Sequence, residues 1–183
     1  MRVSDTKQMP LHSSTQEAGP LMLQAFAWDM TPDASHWRYL AQHAQAIADL
    51  GVTIIWLPPA YKGNFGLDDV GYGVYDLYDL GEFDQKGTIP TKYGTKDEYL
   101  AAIDALHEAG IAVCADIVLN HRMGADATET VRATPINPQD RHQALGDPET
   151  IQAWTRFTFP GRGGAYSDFT WDWTCFNGID WDE

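Results

Sequence analysis

The sequence predicts an α/β fold built on a parallel sheet, and three features predict it. Short apolar runs alternate with stretches of helical period, in the order strand, helix, strand, long loop, helix, strand. The runs are apolar at successive positions, as strands covered on both faces require. The phrases "IADLGVTIIWLP" and "LHEAGIAVCADIVL" are two versions of one helix–Gly–strand unit. Such a repeat suits a closed barrel or a doubly wound sheet. No G-x-G-x-x-G follows the first strand, so the dinucleotide-binding version loses its main sign.

Residues 1–20 carry Ser, Thr, Gln, Gly and Pro without a sustained period and read as a flexible amino-terminal arm. "LMLQAFA", residues 21–27, is the first strand. In "SHWRYLAQHAQAIADLG", Trp37, Leu40, Ala44 and Ile47 recur at helical spacing, and Gly51 stops the helix. "VTIIWLP", residues 52–58, is a β-branched run closed by Pro58 and Pro59, the second strand. Residues 59–94 form a Gly- and Tyr-rich connection, too long to be idle in a compact domain. Of its carboxylates, Asp68, Asp69, Asp76, Asp79, Glu82 and Asp84, most are expected to be solvated or structural. "TKDEYLAAIDALHEAG" is the second helix, with Thr95 and Glu98 at capping-box spacing and Gly110 as its stop. The third strand runs from Ile111 to Leu119, apolar except at Cys114 and Asp116, which predicts a buried, inert Cys114. From about residue 122 the pattern turns polar, then Trp-, Gly- and Asp-rich. Irregular apolar spacing there predicts a loop-rich excursion with short β pieces.

The bulk numbers narrow the function. The 183 residues are 44% hydrophobic, enough for one good core and short for two ordinary domains. Twelve basic against 26 acidic residues give a formal charge of -14. That charge repels phosphate backbones and anionic lipid surfaces, so neither nucleic acid nor membrane is an expected partner. Aromatics make up 12%, with seven Trp. Beside so many carboxylates they suit a neutral, polar, ring-shaped ligand such as a sugar, although most are expected to be core. Cys114 and Cys175 form neither a disulfide framework nor a zinc spacing. The amino terminus lacks an apolar signal segment, and no apolar run approaches the ~18 residues of a membrane span, so a cytoplasmic location is expected.

In parallel α/β sheets, functional groups collect at the carboxyl ends of strands. Asp116, Asn120 and His121 stand there on strand three. Asp116 and Asn120 are four apart and would project to one side of an extended strand. Asp116 is a candidate catalytic carboxylate. Asn120 offers a neutral oxygen suited to calcium. His121 can donate to a ligand hydroxyl while neutral. The same spacing equally suits Asp116 capping a backbone amide and Asn120 making a turn.

"DIVLNH" has the D-x-x-x-N-H form found on the third strand of the α-amylase family of glycoside hydrolases. "WLPPAYKG", "GYGVYDLYDLGEFDQKGTIPTKYGTK", "NHRMGADATE" and "TFPGRGGAYSDF" resemble bacterial liquefying-type α-amylases, in the same order and with similar gaps, from about Leu21 to Glu183. "CFNGID" and the missing signal segment are more similar to the intracellular branch. The resemblance implies the first three strands of a (β/α)8 TIM barrel over residues 21–121 and a loop- and β-rich inserted domain over 122–183. It implies endo-hydrolysis of α-1,4-glucosidic bonds, with retention, in starch- or glycogen-like polysaccharide or maltooligosaccharide, by a monomeric enzyme.

Residue by residue, the resemblance implies that Asn120 is a ligand of one structural calcium joining barrel to insert. His121 becomes a hydrogen-bond donor to the sugar at the cleavage subsite, and Tyr72 the aromatic platform for that sugar. Gln24 and Trp28 become cleft-lining positions. Asp116 becomes a supporting residue rather than the nucleophile. Asn177 stands where the liquefying enzymes carry aspartate, so a second calcium is not expected. Retaining chemistry needs two carboxyl groups about 5–5.5 Å apart. In the family these follow strands four and five, and no acidic residue here matches them. The 183 residues alone are therefore expected to be inactive, with the remaining calcium ligands also beyond Glu183. Two alternatives stand beside this: a non-catalytic carbohydrate-binding piece, and a related α-glucosidase or transglycosylase that shares D-x-x-x-N-H. The long "YDLYDLGEFDQKGTIPTKYGTK" phrase favours the amylase.

Overall fold

The computed structural model describes residues 19–180. The arm expected over 1–20 therefore lies, up to residue 18, outside the described residues. The chain order is β1 (Met22–Gln24), α1 (His36–Asp49), β2 (Ile54–Leu57), β3 (Lys62–Gly63), β4 (Val74–Asp76), α2 (Lys96–Glu108) and β5 (Ala112–Ala115). Then follow β6 (Ala127–Ala133), β7 (Ile136–Asn137), β8 (Asp140–Ala144) and β9 (Glu149–Arg156). β1, β2 and β5 form a parallel sheet with β2 in the centre, Gln24 opposite Trp56 and Trp56 opposite Cys114.

Both helices pack on one face of that sheet. Trp37, Leu40 and Ala44 of α1 meet Tyr99, Ala102 and Leu106 of α2 over Ile55, Leu57 and Ile111. The stripe expected for α1 is buried at Trp37, Leu40 and Ala44, and Ile47 packs at the edge of the same core. Thr95 and Glu98 form the full capping box, each side chain answering the other's backbone N–H. Gly51 and Gly110 follow the two helices at φ +89° and +80°, the left-handed turn that glycine enters without Cβ strain.

His36 opens α1 in a dry setting, against the rings of Trp37 and Tyr93, and its Nε2 has no partner among the described residues. Burial holds its pKa below the ordinary imidazole value, more than the Ala25 backbone contact raises it. The unfolded chain therefore takes up a proton at a pH where the folded chain resists it. Stability is full above about pH 6.5 and falls as pH drops from there toward the folded pKa. Urea unfolding at pH 7.5 and 5.5 is expected to show that loss in the wild type and a smaller one in His36→Gln.

The third strand is shorter than the sequence suggests and is not covered on both faces. It stops at Ala115, and Cys114, Ile117 and Leu119 are exposed. β1 is exposed along its length. Met22, Gln24, Ile54, Trp56 and Cys114 share the sheet face turned away from the helices, and no described element covers that face fully. Cys114 is thus not the buried thiol expected from its apolar neighbours. Asp116 and Asn120 likewise do not sit on one extended strand, because the strand has ended before either.

The long connection 59–94 is folded around buried charge. Lys62 is fully buried, and its Nζ donates to the carbonyls of Phe83, Thr88 and Ile89 at 3.1, 2.6 and 2.7 Å, with Asp79 at 3.5 Å. Asp79 accepts from the amides of Gly81, Glu82 and Phe83. Gln85 bridges Asp76 and Asp79. Asp69, Asp76 and Asp79 are structural and buried rather than solvated.

The segment after residue 122 is more regular than expected. β6 and β9 pair as an antiparallel ribbon, and β7 and β8 form a second. A second apolar cluster of Tyr75, Ala125, Phe157 and Phe159 seats this segment against β4. Lys86 covers the Tyr75 ring at 3.9 Å and donates to the Gly124 carbonyl at 2.6 Å.

Candidate functional site

The carboxyl ends of β1, β2 and β5 carry Trp28, Trp56, Asp116 and His121, and the turn holding Tyr72 reaches over them. Asp69 builds that turn. Its carboxylate accepts from the amides of Phe65, Gly71 and Gly73, on both sides of Tyr72. Side chains at the flanking glycines would not fit. A Cβ on Gly73 would lie 2.3 Å from the Asp69 carboxylate, and one on Gly71, at φ +100°, would lie 2.6 Å from Pro59.

Tyr72 is held at both ends. Its hydroxyl donates to Asp116 Oδ2 at 2.8 Å, and its carbonyl accepts from His121 Nε2 at 2.8 Å. Trp56 Nε1 donates to the same Asp116 oxygen at 3.3 Å, with its ring set edge-on to Phe26 at 5.4 Å. Burial first, then the bond to Asp116, push the Tyr72 hydroxyl up to about 12. It therefore remains a donor at neutral pH. Trp28 lies parallel to Tyr72, 7° between planes and 6.0 Å between centroids, and is largely exposed.

A carbonyl only accepts, so the Tyr72 contact places the His121 proton on Nε2. Nδ1 is then the acceptor, and Asn120 Nδ2 donates to it at 3.3 Å. The chain beyond His121 is tied back by Met123 N to the Val74 carbonyl at 2.8 Å. Tyr61 accepts from the Val118 amide at 2.9 Å and so fixes the backbone leading to Asn120.

Tyr72, Asp116, Asn120, His121 and Trp28 are thus one connected group. Gln24 lies on the same sheet face as Trp56, with its amide donating to the Phe26 carbonyl at 3.0 Å. Asp116 neither caps a backbone amide nor stands free, since two side chains converge on one of its oxygens. Asn177 is exposed just after the turn Trp173–Cys175. Asp69 and Trp56 were not singled out from the sequence. The D-x-G-x-G spacing of "DVGYG" is the signal for Asp69, because a carboxylate two and four residues before glycines can cap both amides.

Calcium takes six to eight oxygen ligands. Asn120 brings one amide oxygen. Among the described residues no three His, Cys, Asp or Glu side chains converge in a way that could hold a metal ion.

Residues 26–160 match the family model described as the α-amylase catalytic domain. The α-amylase of Geobacillus stearothermophilus is 56% identical over 162 residues, which is 88% of this chain and 29% of that protein. The cytoplasmic α-amylase of Escherichia coli K12 is 52% identical over 161 residues, 88% of this chain and 32% of that protein. Alternansucrase, solved in truncated form from Leuconostoc mesenteroides and in complex with isomaltononaose, superimposes with a TM-score of 0.63 at 30% identity. That match covers 75% of this chain and 12% or 13% of the solved chains. The chain spans less than a third of the length of these curated relatives.

Proposed function

This chain belongs to the α-amylase catalytic-domain family, and on that premise we propose that it forms one wall of the substrate cleft of an α-amylase. The protein would cleave internal α-1,4-glucosidic bonds of starch- or glycogen-like glucans with retention. The clamped Tyr72 is the observation that carries this reading. An aromatic face fixed by its hydroxyl on a residue whose backbone is also tied, beside a histidine N–H and a parallel Trp28 ring, suits a glucose unit and its neighbour. Tyr72 stacks on the apolar face of one sugar. His121 Nε2, which now donates to the Tyr72 carbonyl, turns or shares its proton toward a sugar hydroxyl. Trp28 and Gln24 line the approach. Asp116 acts by position: with Tyr72 and Trp56 both donating to Oδ2, it holds the platform rather than attacking the anomeric carbon. The nucleophile and the acid/base come from outside the described residues.

Three finer points belong to the same reading. Residues 21–121 supply the first three strands of a (β/α)8 barrel, and 122–183 begin an inserted domain that packs against it. Asn120 supplies one oxygen to a structural calcium whose other donors lie outside residues 19–180. The likeness to the cytoplasmic α-amylase of Escherichia coli supports a cytoplasmic enzyme. Among the described residues no helix is long and apolar enough to cross a membrane.

The test of the reaction is the protein as its gene encodes it, given amylose while product anomers are followed by proton NMR. Mid-chain cleavage yielding α-anomers first is expected. Release from chain ends only, or β-anomers first, would contradict it. For the metal, Asn120→Ala is expected to lower the melting temperature in calcium but not in excess chelator. An equal loss in both conditions would remove Asn120 from the ligand set. Because the nucleophile and the acid/base are proposed to lie elsewhere, the 183 residues alone are expected to hold maltooligosaccharide weakly without cleaving it, and calorimetric titration separates binding from no binding.

A further inference from the structure

Arg122, the residue after His121, is a half-buried cation that makes no salt bridge among the described residues. It donates to the His121 carbonyl at 2.9 Å, and its guanidinium lies over the Trp171 ring at 4.4 Å. Among the described residues no carboxylate lies within 4.0 Å of it. It lines a cavity of about 180 Å³ with Asp76, Tyr78, Phe159, Arg162 and Trp171. The second arginine is compensated. Arg162 Nε bonds Asp76 at 2.8 Å, and its fork donates to the carbonyls of Ala165 and Ser167. Asp76 is occupied in turn by Arg162 and the Gln85 amide at 3.0 Å. Two guanidinium groups thus face the cavity against one carboxylate, an excess of one positive charge in a chain whose formal charge is -14.

A guanidinium drawn out of water cannot discharge itself, because it keeps its proton at any physiological pH. Withdrawn charges in folded proteins are paired. With one face of Arg122 laid on Trp171 and Nη1 donating to the His121 carbonyl, the Nε and Nη2 edge is left for a partner, and a planar carboxylate matches that edge. The single excess charge and the aromatic walls disfavour a strongly hydrated dianion such as sulfate. We propose that the cavity beside Arg122 binds one monovalent carboxylate. The same chemistry has two sources, a free carboxylate ion or an Asp or Glu side chain from elsewhere in the protein. The proposal does not depend on glucan hydrolysis, and its test reads stability.

The test uses the protein as its gene encodes it, with acetate titrated against chloride at constant ionic strength and melting followed by tryptophan fluorescence. Wild type is compared with Arg122→Met, whose stem still covers Trp171. If the source is free carboxylate, the wild-type melting temperature rises saturably by a few degrees and the variant does not respond. If the source is a side chain, the wild type does not respond and the variant melts several degrees lower. A variant at least as stable as the wild type, with no response to acetate in either, overturns the proposal.

Discussion

Replacing Tyr72 with alanine is expected to lower kcat/KM on maltooligosaccharides by on the order of 10²-fold, the scale at which a misplaced reacting sugar loses rate. The ring is the proposed platform; Asp116 holds its hydroxyl, and His121 holds the backbone carbonyl of the same residue. Tyr72→Phe separates platform from clamp. It keeps the stacking face but removes the hydroxyl that Asp116 accepts, and it leaves the carboxylate with Trp56 at 3.3 Å. A lost hydrogen bond to a charged group is worth about 1.5 kcal/mol, so a loss of roughly tenfold is expected. Steady-state kinetics on a blocked maltoheptaoside measures both. Equal losses in the two variants would mean that the hydroxyl, not the ring, carries the effect.

The largest effect on stability is expected at Lys62. Lys62→Met keeps the length of the stem but removes the donor shared by three carbonyls and Asp79. Burial lowers the Lys62 pKa and nearby Asp79 opposes that shift, the balance of a charge kept indoors by its partners. Breaking one side of such a buried pair costs about 3–5 kcal/mol. For a chain of this size that is a fall in melting temperature on the order of 10 °C. Lys62→Arg is not expected to rescue it, because a planar fork cannot fill the compact niche of an ammonium. Differential scanning calorimetry reads both variants. Because the same loop shapes the Tyr72 turn, Lys62→Met is also expected to lose activity at temperatures below its melting point.

Where the sequence reading succeeded, the determining contacts are local or periodic. Trp37, Leu40 and Ala44 face the core because a helix repeats every 3.6 residues. Thr95 and Glu98 cap their helix because the box closes within four residues. It overreached where burial depends on partners distant in the chain. Ile117 and Leu119 are as apolar as Ile55 and Leu57, yet the first pair is exposed and the second buried. An apolar pattern records an affinity for dry surroundings without saying which element provides them. The site divides the same way. Tyr72, Asn120 and His121 were visible as motif residues. The role of Trp56, through Asp116, arises only when separate parts of the chain meet, whereas that of Asp69 is local and legible in the D-x-G-x-G spacing. For the acids of the long loop the sequence left solvated and structural roles open, and the partner that makes Asp76 structural, Arg162, lies 86 positions away.

The most direct measurement is a structure of the protein with a thio-linked maltooligosaccharide that it cannot cleave. One glucose ring should stack on Tyr72, with a hydroxyl within about 3 Å of His121 Nε2 and a neighbouring ring near Trp28. A sugar bound elsewhere, with the Tyr72 face bare while the Asp116 and His121 contacts persist, would contradict the account.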